Sequence, residues 1–419
     1  MDSLGGGELS SALTRLDQSW EIQQRRGNPM QNRWVRLEIK NDDENDDEND
    51  DDNDQASVEE EVEEENKKDF VYCCKPWSGG GIPSVVLIFW GGAVLGQFPH
   101  IAYNELLVRL SDRLNAAVVA APYSVGLDHF ELAKTTGENL RRALLQCQQQ
   151  NDDEPFVLPE SVPIYGIAHS LGAKLATIYL GATTGMKLDG IAYLAYNNYG
   201  FGQTIGMVTE FANQIRQNSN NNNNDNDNTM DPMKQDFVQQ VMGFAETAVG
   251  ALGVEFSPSP QDTRRIVSWQ YDDDNNNNND DRKRSTKTRL FAFDEDGLDC
   301  SQEFVEDSSS NRPTTKSNNA SKSGHVSVAG VPGNHLTPVY LRFGLEDLPS
   351  DAARIMVEQA NTEGYQSASF GNEQHLETLV DEITAFCLGK DPSRPPQWQQ
   401  EQQQQQDAPP RLLESNNNG

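Results

Sequence analysis

The segment Pro163-Ile-Tyr-Gly-Ile-Ala-His-Ser-Leu-Gly-Ala-Lys-Leu-Ala176 constrains the fold more tightly than any other part of this chain. An apolar strand pattern, Val162 to Ala168, leads into Ser170, and a helical pattern, Ala173 to Leu180, leads out. A strand can turn this sharply into a helix only where the residues two before and two after the turn are small, because the backbones pass too closely for larger side chains. Ala168 and Gly172 meet that requirement, although Ala stands where the usual GxSxG pattern has Gly.

The flanking sequence supplies a sheet for this turn. From Pro83 onward short apolar runs, Ser84 to Phe89, Ala116 to Ala121, Val162 to Ala168, Gly190 to Ala195, Arg289 to Phe293 and His325 to Val331, alternate with helical patterns such as Tyr103 to Arg113 and Phe130 to Gln146. That alternation predicts βαβ units around a mostly parallel sheet with helices on both faces. Leu376, Leu379, Val380, Ile383 and Phe386 share one face of a last helix suited to covering the sheet. Upstream, Leu9, Leu13, Leu16 and Trp20 have helical spacing, and Trp34 to Ile39 and Phe70 to Cys74 read as antiparallel strands.

Residues 1–33 are therefore an N-terminal segment, 34–390 one α/β domain, and 391–419 a Gln-rich tail expected to be disordered. Polar insertions interrupt the domain at 41–68, 218–228, 272–284 and 308–322. They read as expanded surface loops, since long polar loops cost little stability. The excursion 201–263 carries Phe237, Val241, Phe244 and Ala248 at helical spacing behind Asp231-Pro232. It makes either a cap over the site or an extra packing helix.

Composition excludes several functions. The formal net charge is −32, and half of it lies between Asp42 and Glu65, which hold eight Asp and eight Glu without a Lys or Arg. Such a chain offers no basic face for nucleic acid or an anionic membrane. The longest apolar run, Val85 to Leu95, falls short of the ~18 residues of a membrane helix. Five scattered cysteines without a CxxC pair suit a reducing compartment. The N-terminus lacks a secretory pattern, and its early acidic residues fit a transit peptide poorly. The sequence thus predicts a soluble protein with no metal or diffusible cofactor.

A serine at such a turn becomes a nucleophile only with a base to take its proton and a carboxylate to orient that base. His335, after the strand pattern His325 to Val331 and a Gly333-Asn334 turn, would lie at the carboxyl edge of the sheet. Asp296 sits three residues beyond the preceding strand, in a turn with Gly297, with Asp299 as the alternative acid. The order Ser170, Asp296, His335 is that of the α/β-hydrolase fold, which is the predicted fold class. An oxyanion would need two N–H donors: that of Leu171, after the serine, and that of Gly92 or Ala93 in the glycine-rich loop after Val85 to Trp90. Asp128, His129, Asn197 and Asn198 follow other strands and are candidates for a substrate pocket, with helix capping the competing role for Asp128 and a turn for Asn197-Asn198.

The ordered motifs Phe89-Trp-Gly-Gly-Ala-Val-Leu-Gly-Gln-Phe-Pro-His-Ile-Ala-Tyr103, Ala121-Pro-Tyr, Leu127-Asp-His129, Tyr165-Gly-Ile-Ala-His-Ser-Leu-Gly172, Asn197-Asn198, Glu255-Phe-Ser-Pro-Ser-Pro260 and Gly333-Asn-His-Leu-Thr-Pro338 resemble domain of unknown function family thirteen-fifty, over roughly Trp34 to Gly389. The resemblance implies an α/β-hydrolase-like fold and, because that family occurs mainly in photosynthetic organisms, a plastid setting. It implies no known reaction. The residues themselves point to a serine hydrolase of ester or acyl bonds acting on a small molecule. The competing readings are an inactive binding or scaffolding protein on the same fold and, more weakly, a lipid or acyl carrier.

Overall fold

The computed structural model describes residues 13–18, 20, 33–40, 69–76, 82–93, 95–149, 155–183, 186–200, 203–204, 255–271, 286–309, 326–343 and 368–407. Its centre is an eight-stranded sheet in the order β1-β2-β4-β3-β5-β6-β7-β8. The strands are β1 (Trp34–Glu38), β2 (Phe70–Cys74), β3 (Val85–Trp90), β4 (Ala116–Ala120), β5 (Ile164–His169), β6 (Gly190–Leu194), β7 (Lys287–Phe293) and β8 (Val326–Val331). β1 pairs antiparallel with β2, and β2 with β4, while every pairing from β4 to β8 is parallel. This order, with β3 and β4 exchanged and β2 reversed, is the α/β-hydrolase fold.

Both faces of the sheet are buried because its inner strands β3, β4 and β6 are buried at every position. In β3, Val85, Leu87 and Phe89 enter one core, and Val86, Ile88 and Trp90 the other. The first core is closed by α1 (Asn104–Leu114) through Leu106, Leu107 and Leu110, and by the late helix that the sequence predicts through Leu376, Leu379, Val380, Ile383 and Phe386. Each such apolar side chain contributes roughly 1.5–3 kcal/mol on burial. The second core is closed by α2 (His129–Gln148), α3 (Leu171–Ala182), α4 (Pro260–Gln270) and α5 (Ser301–Ser309). The late helix, α6 (Glu373–Cys387), is tied to α1 by Arg109, 2.7 Å from both Glu373 and Glu377, and by Arg113, which meets Glu377 and Asp381.

The N-terminal segment is not separate from the domain. Residues 13–18 are helical, Leu13 is fully buried in the first core, and Trp20 meets Tyr72 edge to face at 5.5 Å. The insertions 41–68 and 218–228, and Phe237, Val241, Phe244 and Ala248 of the predicted cap, lie outside the described residues, as do 272–285 and 310–325. Three features escaped the sequence reading. One is α4, whose register is set by Ser259, which caps it by accepting the Asp262 N–H at 3.2 Å. Another is a small antiparallel pair, β9 (Leu341–Phe343) with β10 (Ala368–Phe370).

The third is the tail, where the expectation of disorder fails for residues 391–407. Gly330 N–H of edge strand β8 donates to Arg394 O at 3.0 Å, Arg394 bonds Asp294 at 2.6 Å, and Trp398, in the first turn of α7 (Gln397–Asp407), packs against the second core. A glutamine run looks unable to fold, but Pro396 and Trp398 give this one an apolar anchor. Removing residues 391–419 should therefore lower the stability of the domain by about 1–2 kcal/mol, from the lost edge hydrogen bond and indole burial. Urea unfolding of the full and shortened chains measures this, and coincident midpoints would show that the tail does not dock.

Candidate active site

The end of β5 and the start of α3 form the predicted turn. Ser170, between them, has φ 54° and ψ −120°, a conformation that an L residue holds only under constraint from its surroundings. Part of that constraint is visible: its N–H donates to Leu194 O at 3.0 Å, and its carbonyl accepts from Ala173 N–H at 3.0 Å. Gly172 supplies the rest. A Cβ on it would lie 2.3 Å from Gly91 O and 2.5 Å from Trp90 O, so only glycine lets α3 begin this close to the end of β3. Ala168 is buried within β5, its φ is not positive, and the turn forms without the usual glycine there.

Three distant residues meet at this turn. His335 Nε2 lies 2.8 Å from Ser170 Oγ, and His335 Nδ1 lies 2.9 Å from Asp296 Oδ2. A carboxylate only accepts, so Nδ1 carries the hydrogen and Nε2 is free to accept from the serine hydroxyl. Asp296 is fully buried at its side chain, and its second oxygen accepts the Leu298 N–H at 2.9 Å. The His335 loop is held toward Asp296 by Glu295 N–H, which donates to Gly333 O at 2.9 Å.

The neighbouring acids have other work. Asp294 pairs with Arg394, and Asp299 accepts from the N–H of Ser301 at 2.9 Å and its hydroxyl at 2.6 Å, at the start of α5. Asp299 thus does not meet His335, and Asp296 does. Burial pushes the Asp299 carboxyl up to about 7, opposed by the Ser301 bonds and helped by the charge of Asp296.

Other sequence expectations are corrected. Gly92 N–H is engaged: it donates to Tyr103 Oη at 2.8 Å. Leu171 N–H, at the first position of α3, has no acceptor within its helix, and Ala93 N–H has none among the described residues. Asp128 caps α2, accepting from Phe130 and Glu131 N–H at 3.1 and 3.0 Å. Asn197 closes a turn by accepting from Tyr199 N–H, and Asn198 donates to Pro260 O. His129 is buried and stacked on Phe256 with ring centres 4.1 Å apart. Asp128 and Asn197 thus bond first to backbone N–H groups beside them, while Asn198 lines a cavity of about 520 Å³ with Tyr199, Gln203 and Arg264.

Two residues near the serine were not foreseen. Tyr103, read only as a helix start, reaches into the turn. Lys174, one turn beyond Ser170, is 2% exposed, and burial lowers its ammonium to about 8 against the attraction of Glu255. A lysine in a helix ordinarily reads as surface, and the packing of α3, a helix apolar nearly all round, between α2 and α4 buries it.

The model of the family described as "Protein of unknown function (DUF1350)" matches residues 80–352, more than half of the sequence. The chain belongs to that family. No curated protein matches it. Solved structures similar to this DUF1350 chain include a siderophore hydrolase, EstB, from Aspergillus fumigatus, with 12% identity over 76% of this chain and 94% of that one and a TM-score of 0.43. They also include an esterase from Pyrococcus furiosus, with 13% identity, coverage of 79% and 90% and a TM-score of 0.38. A thermostable carboxyl esterase from Bacillus coagulans has 14% identity, coverage of 63% and 86% and a TM-score of 0.34. The fold assignment of the DUF1350 chain rests on its own strand order.

Two outcomes follow from this site. Gly172→Ala should destabilise the protein by about 3 kcal/mol, because the methyl meets backbone that cannot yield, and denaturant unfolding measures it. The second concerns Asp299. Between the ordinary 3.8 and about 7 the native carboxyl keeps a proton that the unfolded chain has lost, so Asp299 makes stability fall as pH rises through that window. Asp299→Asn should abolish this component, and the unfolding free energies of the two proteins should diverge in favour of Asn from about pH 4 to about pH 7.

Proposed function

We propose that this protein is a serine hydrolase of ester or related acyl bonds in a small-molecule substrate. The observation that carries the reading is the unbroken hydrogen-bond chain from Ser170 Oγ through both nitrogens of His335 to Asp296, at 2.8 and 2.9 Å. A scaffold that had lost turnover would be under no constraint to keep His335 Nε2 within bonding reach of the serine.

In this reading His335 Nε2 takes the Ser170 hydroxyl proton as the oxygen attacks the substrate carbonyl carbon. Asp296 holds the Nδ1–H tautomer and stabilises the imidazolium that forms. The tetrahedral oxyanion accepts from Leu171 N–H and Ala93 N–H, the second donor moving one residue along the loop because Gly92 is already bonded. His335 then protonates the leaving oxygen, the carbonyl reforms, and an acyl-Ser170 ester remains. Water, deprotonated by His335, attacks that ester and returns Ser170 to its starting state. No step calls on a metal or cofactor.

A fluorophosphonate probe tests this reading, since it phosphonylates only an activated serine. The folded wild-type chain should be labelled and Ser170→Ala should not, while His335→Ala should label at least ~10³-fold more slowly through loss of its base. Absence of Ser170-dependent labelling in folded protein would sink the proposal.

A further inference from the structure

The ring of His169 is buried and bonded at both nitrogens. Its Nε2 lies 2.9 Å from the backbone carbonyl of His335, and its Nδ1 lies 2.9 Å from Tyr103 Oη, which accepts from Gly92 N–H at 2.8 Å. The two ends of this chain determine every hydrogen in it. A backbone N–H can only donate and a backbone carbonyl can only accept. His169 Nε2 therefore carries hydrogen toward His335 O. Burial lowers its imidazole to about 3, so the ring is neutral and Nδ1 must accept from the Tyr103 hydroxyl. The direction runs one way, from Gly92 through Tyr103 and His169 to His335.

The position of this relay matters as much as its polarity. β8, from which the His335 loop emerges, is separated from β5 by β6 and β7, so that loop reaches back across two strands to Ser170. Glu295 ties it on the side of the acid, and His169 Nε2 ties the peptide of His335 itself on the side of the nucleophile. The other end of the relay holds the loop after β3. A Cβ on Gly92 would stand 2.9 Å from His169 Nδ1 and 3.0 Å from Tyr103 Oη, so glycine is what lets this loop close onto the relay. Tyr103 and His169 are each no more than 1% exposed, and water has no access to substitute for a missing link.

We propose that His169 and Tyr103 are positioning residues for acyl transfer: they hold the loop of the base and the loop of the second oxyanion donor to the nucleophile turn through one buried, directional relay. This rests on the hydrolase reading above for its catalytic meaning, but the positioning itself is observable without turnover. His169, being neutral, does not compete with His335 for the serine proton.

The test uses the full chain with His169→Phe, His169→Gln and Tyr103→Phe, and two readouts. One is the rate of fluorophosphonate labelling, resolved into probe affinity and maximal rate. The other is the downfield proton resonance of His335 Nδ1–H, assigned by its loss in His335→Ala. His169→Phe should lower the maximal labelling rate by roughly 10²-fold, with probe affinity nearly unchanged, because a small misplacement of reacting groups has an effect of that order. Its resonance should broaden or vanish. His169→Gln should recover most of the rate and the resonance, since its amide N–H lies where Nε2–H was, whereas a purely space-filling role would favour Phe. Wild-type labelling together with an unaltered rate and resonance in His169→Phe would overturn the relay and leave the hydrolase reading intact. Absence of wild-type labelling would sink the hydrolase reading, and the resonance alone would then decide the relay: lost in His169→Phe it stands, unchanged it falls. If His169→Phe does not fold, Tyr103→Phe, which deletes one hydroxyl, decides by the same two readouts.

Discussion

The close approach between the first turn of α3 and the last residues of β3 is the constraint on which the rest of the site depends. Gly172 lies against the carbonyls of Trp90 and Gly91 with no room for a methyl group. Because α3 begins there, the chain must leave β5 and enter the helix within a single residue, and Ser170 takes up the whole change of direction at φ 54° and ψ −120°. The strain is local and is offset by the two buried cores that clamp β3 and β5 side by side. A serine on a relaxed loop would not present its hydroxyl at a fixed point.

Everything else at the site is brought to that point from a distance. Asp296 ends a turn after β7 and His335 a loop after β8, while Ser170 follows β5, so the four adjacent strands β5 to β8 set the spacing between Ser170, His335 and Asp296. The loop after β3 approaches from the opposite side. Buried polar groups fill the gap between these loops, and each finds a partner of the right polarity: Tyr103 for Gly92, His169 for Tyr103, and the backbone of His335 for His169. The preference of backbone groups for hydrogen bonds thus organises the site as firmly as apolar packing organises the sheet.

Much of this was legible in the sequence. Parallel strands buried on both faces are apolar at consecutive positions, so β3 to β8 stood out as short runs, and the periodicity of Leu376 to Phe386 marked a covering helix. Ser170, His335 and Asp296 were legible because the fold requires them at strand ends in that chain order. The legible part ended where several residues of one type shared a strand end. Spacing favours Asp296 over Asp299 and Asp294 but does not exclude them, and the structure distinguishes the three by what surrounds each: a histidine beside Asp296, the start of a helix beside Asp299 and an arginine beside Asp294. Asp128 and Asn197 are bound locally for a related reason, since a short polar side chain beside unpaired backbone N–H groups bonds those first.

The sequence by itself determined the hydrophobic order of strands and helices and the small residues that make the turn at Ser170 possible, because both are local properties of patterning and size. Only the tertiary structure decided which acid faces His335, that Gly92 N–H is already engaged by Tyr103, that Lys174 is buried, and that the Gln-rich tail docks beside β8 through Trp398. Those outcomes depend on groups far apart in the chain coming within about 3 Å of one another, and no local pattern encodes which partner a polar group meets when its strand is laid beside another.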